Sequence, residues 1–177
     1  MPLPERLKPV RPDGGKKEAL LALLAEITTQ IDKGKREGDP DLQRLIADWN
    51  HQVIRPCHYD EFRDYHSYIS ASEFVNTAFN QERYVDDLRY EELLAIIDFV
   101  CKEEGEQSEC DYALDLLTLN FNANPSNLIY WPNEWFNNED MLDVELSNEE
   151  IAAYLMEKSG RHLCAPTIVL KYPIPND

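Results

Sequence analysis

Apolar residues recur through most of this chain at intervals of three and four, the spacing that lines one face of a helix. Leu20, Leu23, Leu24, Ile27 and Ile31 predict a helix from Lys16 to about Lys35, which Gly38-Asp39-Pro40 breaks. Asp39 can cap a second helix and Pro40 can take its first position, where its missing N–H costs nothing. The stripe Leu42, Leu45, Ile46, Trp49 and Val53 then runs to Pro56, so the two segments are expected to form an antiparallel helical hairpin. The clearest seam is Tyr90, Leu93, Leu94, Ile97, Val100 and Cys101, between about Leu88 and Glu104. An all-α helical bundle is the expected fold class.

The remaining segments fall between these helices. Residues 1–15 hold Pro2, Pro4, Pro9, Pro12, Gly14 and Gly15, which oppose helix and predict an irregular arm. Residues 58–80 are dense in aromatics and fit connecting helix, with Ser70 or Ser72 as a cap. Ser108 is placed to cap a helix from Glu109 to about Asn120, with Cys110, Leu114, Leu117 and Phe121 inward, Asp111, Asp115 and Thr118 opposite, and Tyr112, Leu116 and Leu119 along the flank. Pro125 and Pro132 leave room for one or two helical turns between them. Residues 133–145 carry enough carboxylates to predict a long acidic loop. Ser147 and Glu150 have the spacing of a capping box, and Gly160 that of a helix stop. The expected organisation is an arm over 1–15, a hairpin with connecting helices over 16–85, a helical domain over 86–160 and an extended tail over 161–177.

Charge divides the chain unevenly. Residues 1–56 hold 10 Lys+Arg and 9 Asp+Glu, whereas residues 57–177 hold 7 and 25, so the later part carries −18 and accounts for the whole surplus behind the net charge of −17. Such a surface repels nucleic acid and anionic lipid and favours a basic protein partner. No apolar run is long enough to cross a bilayer, and Met1 to Arg6 has no apolar signal core, so a cytoplasmic location is expected. The four cysteines stand far apart without metal-site spacing; reduced thiols are expected, with Cys101 as a small buried hydrophobe.

Nothing in the chain has the pattern of catalysis. It contains no glycine-rich phosphate loop, no HExxH, no GxSxG and no calcium loop. His51, Cys57, His58 and His66 lie close in sequence, and an enzyme built on them would carry bound metal; a solvated helix face explains them more simply. No cofactor, metal or catalytic residue is assigned. One short segment resists an ordinary folding role: Tyr130 and Trp131 are consecutive, between Leu128-Ile129 and Pro132, so a single turn cannot aim all of these side chains into one core. Exposed paired rings beside carboxylates have the composition of an interface anchor; covering the core of a small helical domain is the competing role.

In order, Tyr90 to Cys101, the acidic helix Glu109 to Asn120, the segment Pro125-Ser126-Asn127-Leu128-Ile129-Tyr130-Trp131-Pro132 and the helix opening Leu146 to Ile151 resemble the immunity proteins of nuclease bacteriocins, the small four-helix inhibitors of DNase colicins and pyocins. The resemblance covers about residues 88–160, and its specific part is Leu-Ile-aromatic-aromatic-Pro. It implies a four-helix C-terminal part preceded by the N-terminal hairpin, and no enzymatic activity. It also implies a basic nuclease toxin as partner, blocked beside its active site. Selectivity would fall to Glu109, Asp111, Tyr112 and Asp115, and shared binding energy to Ser126, Asn127, Tyr130 and Trp131. Asn127 stands where the family usually has an aspartate, and Trp131 where it has a second tyrosine. The alternative reading is an acidic adaptor or DNA-mimic protein that serves no toxin.

Overall fold

The computed structural model describes residues 1–176, which are all-α: among them there is no strand. They divide into two compact units, each with its own core. One comprises Pro9–Gln81 with Glu106–Glu109, the other Met1–Lys8, Glu82–Gly105 and the chain from Cys110 onward.

The first unit is built from α1 (Gly14–Asp32), α2 (Pro40–Asn50), α3 (Tyr59–Asp64) and α4 (Ala71–Thr77). Asp39 accepts hydrogen bonds from the amides of Asp41 at 3.0 Å and Leu42 at 3.1 Å, so the cap and Pro40 together set the start of α2. Leu20, Leu24 and Ile27 of α1 meet Leu42 and Trp49 of α2 in one core. Trp49 packs edge-on against Phe62 at 5.4 Å and lies 5.6 Å from Phe74, arrangements favoured by the ring quadrupoles. Ser70 caps α4 by accepting from Glu73 at 3.2 Å. His58 precedes α3, and its amide donates to Glu61 at 2.8 Å.

The second unit contains α5 (Tyr90–Lys102), most of α6 (Gln107–Asn120), α7 (Pro125–Tyr130), α8 (Pro132–Phe136) and α9 (Asn148–Ser159). α5 packs on α9. Ser147 and Glu150 form the capping box of α9, and its stop is Gly160 at φ 72°, a left-handed backbone that glycine adopts without a Cβ penalty. Asn120 is buried and all four of its amide bonds are made. Its oxygen accepts from Val85 N at 2.8 Å and Arg161 at 2.7 Å, and its nitrogen donates to the carbonyls of Arg83 and Leu116, each at 2.9 Å.

The structure departs from the sequence expectations in three places. Residues 1–15 are not an irregular arm throughout: Glu5–Leu7 form a 3₁₀ turn, Leu3 and Leu7 are buried in the second unit's core, and α1 begins at Gly14. The Arg6 guanidinium holds this turn by gripping both oxygens of buried Glu92, at 2.7 and 2.6 Å. Ser108 does not cap α6, which begins one residue earlier; it is buried, and its amide donates to Glu73 at 2.9 Å. Residues 133–145 are not a plain loop. They carry the end of α8 and a 3₁₀ turn at Glu139–Met141, because Trp135, Phe136 and Met141 are core residues. The tail is extended and straps α9: the Tyr154 hydroxyl donates to Tyr172 O at 3.2 Å and accepts from Tyr172 N at 3.0 Å.

Candidate protein-binding site

The α7 turn is fixed at both ends. Asn124, in the left-handed region at φ 50°, accepts from Asn127 N at 3.3 Å, and Pro125 occupies the first helical position. Leu128 points into the core, 1% exposed, while Pro132 starts α8 immediately afterward. Trp135 of α8 donates its indole N–H to Ala123 O at 2.7 Å, and Phe136 and Tyr154 pack on it. Tyr130 and Trp131, held between these anchors, remain 40% and 55% exposed.

The phenol of Tyr130 is pushed above its ordinary pKa, first by burial of part of the ring, with the charges of Glu103, of the Cys101 and Cys110 thiolates once formed, and of Asp111 adding to this. Tyr130 and Asp111 therefore belong to one neighbourhood. Asp115 is exposed one turn further along α6, on the same face. Asn127 is half-buried and reaches Glu134 at 3.5 Å, and Ser126 is half-buried beside it. Glu109 accepts from Glu106 N at 3.2 Å within the first unit's segment.

Tyr112 must be removed from the expected contact residues. It is 2% exposed and part of the second unit's core, so a partner could not reach it without opening the fold. The cause is that α6 buries Tyr112, Leu116 and Ala113 as well as Cys110 and Leu117. Cys101 is a second correction: it is exposed rather than buried. Its thiol is nevertheless raised above its usual pKa by desolvation, with Asp98 adding to this, which keeps it protonated and poorly nucleophilic at neutral pH.

Two features of this region were not apparent from motifs. A groove of about 600 Å³ runs beside Tyr130, with walls drawn from the end of α5, from α7, from the Leu142–Leu146 segment and from Ile151. The chain also contains no Lys, Arg or His between Lys102 and Lys158, while that interval holds 14 Asp and Glu. Groups outside that interval pair with some of these carboxylates, the Met1 amino group with Glu104 and Lys171 with Glu150. Among the described residues no helix is long and apolar enough to cross a membrane, and no group of three or more His, Cys, Asp or Glu is arranged to hold a metal ion.

No family model, no curated protein and no solved structure matches this chain.

Proposed function

We propose that this protein is a non-catalytic, immunity-type inhibitor that acts in the cytoplasm by binding a basic nuclease toxin and denying nucleic acid access to the toxin's active site. The observation that carries the reading is the display of Tyr130 and Trp131: neighbouring rings on a turn pinned at both ends, left 40% and 55% exposed beside a cation-free acidic stretch. Rigid aromatic side chains supply contact area at low entropic cost and dominate many interfaces. The carboxylates around them accelerate encounter with a basic surface and repel the phosphates of its substrate.

In this reading Tyr130 and Trp131 anchor the partner, Ser126 and Asn127 supply polar contacts, and Asp111 and Asp115 select it. The test is co-expression with the product of the adjacent gene, followed by growth measurement and co-purification. A stable complex that restores growth supports the reading. A toxic neighbour that is neither bound nor neutralised overturns it, and binding to a non-toxic basic protein would favour the adaptor alternative.

A further inference from the structure

The groove beside Tyr130 is lined by both apolar side chains and carboxylates. Ile129, Leu142 and Leu146 line it, and Asp143 and Glu145 lie along the same segment. Leu142 is 55% exposed, so its side chain is open to a partner. Both carboxylates are exposed, and neither is paired with a cation among the described residues. Cys101, in the last turn of α5, forms another part of the wall. A cation with a long hydrocarbon stem matches this combination, since the methylenes of Lys and Arg cover apolar surface while the charged head stays at the rim. The volume of about 600 Å³ lies within the range of small-molecule sites, so it accommodates a short stretch of chain rather than one side chain alone.

We propose that this groove receives a basic-apolar segment of the protein partner, seating a lysine or arginine stem along Ile129, Leu142 and Leu146 with its charged head against Asp143 and Glu145. The inference deepens the reading of a basic protein partner and rests on it for the identity of that partner, while the groove's own preference is measurable without the toxin.

The probe is acetyl-Lys-Leu-Lys-amide at millimolar concentration, titrated into the isotopically labelled full chain and compared with the same peptide carrying norleucine in place of lysine. Saturable amide shifts confined to Tyr130 and residues 142–146, present with lysine and lost with norleucine, support the slot. The double variant Asp143→Asn, Glu145→Gln is expected to weaken the probe by about threefold or more, as two exposed ion pairs would. Leu142→Ala, at an exposed position that the fold does not need, should weaken it as well. Equal shifts with norleucine, non-saturating shifts spread over the acidic surface, or unchanged binding by both variants would overturn the proposal. A neighbouring toxin that binds wild type and the double variant equally would also overturn it while leaving the inhibitor reading intact. A neighbour that fails to bind wild type defeats the inhibitor reading, and the peptide result then still decides the groove.

Discussion

The indole nitrogen of Trp135 donates to the carbonyl of Ala123 across 2.7 Å, tying the chain just after the exposed aromatic pair to the chain just before it. The bond is buried, so Trp135→Phe would leave the Ala123 carbonyl without its donor while keeping most of the apolar contact. The expected cost is about 1 to 3 kcal/mol. Chemical denaturation of the full chain measures it. A change within a few tenths would mean that packing alone holds the turn.

Tyr130→Ala and Trp131→Ala separate display from folding. Trp131 is 55% exposed and Tyr130 40%, so both variants should fold, with the larger loss of stability, about 1 kcal/mol, at the more covered Tyr130. Each should nevertheless lose about 2 kcal/mol or more of affinity for the cognate toxin, measured by calorimetry. Unchanged affinity with unchanged folding would remove these rings from the interface.

Acid should destabilise the second unit through two buried carboxylates. Arg6 holds Glu92 well below the ordinary value of 4.5, despite the opposing effect of desolvation, and Arg89 assists. The Lys102 ammonium, followed by the Met1 amino group, does the same for Asp98 against an ordinary value of 3.8. A carboxylate whose pKa is depressed on folding stabilises the fold above its unfolded pKa, and this contribution is lost as pH falls toward the folded one. Denaturation midpoints should therefore fall steadily below about pH 4.5. Glu92→Gln should cost about 3 kcal/mol near neutrality and flatten this dependence. An acid profile identical to wild type would show that the pair does not control it.

Asn120→Ala deletes a buried amide that serves four partners at once. Val85 N, the Arg83 carbonyl and Arg161 would each lose a contact, and the destabilisation should reach about 2 to 4 kcal/mol. Arg161 also rests on the Tyr84 ring at 4.4 Å, so Arg161→Lys should not restore what Arg161→Ala loses. Full rescue by lysine would indicate that charge alone matters there.

Helix positions were legible because each follows from local spacing and punctuation: Asp39-Pro40, the Ser147/Glu150 box and Gly160 all act within one turn of the residues they organise. Long-range consequences were harder to read. Trp135 and Phe136 lie among carboxylates in sequence, and only the distant Tyr154 explains why a turn of helix forms there. Leu3 and Leu7 do carry a helical spacing, but the surrounding prolines mask it, and the partner of Arg6 is 86 residues away. For the candidate site, the adjacency of Tyr130 and Trp131 required only that some side chain of the turn face outward and left core cover as the competing role; both rings are partly exposed. Tyr112 misled because α6 is apolar on several faces, and no periodicity says which face a partner would see. The groove had no signature at all, since its walls converge from four separated stretches of chain.

The cation-free interval also dictates how the site responds to reagents. Trypsin, which needs lysine or arginine, can release it only as one fragment from Glu103 to Lys158, and amine-directed labels have no target within it. A bridge made by carboxyl activation within this interval would have to take its amine from elsewhere in the chain or from the other molecule.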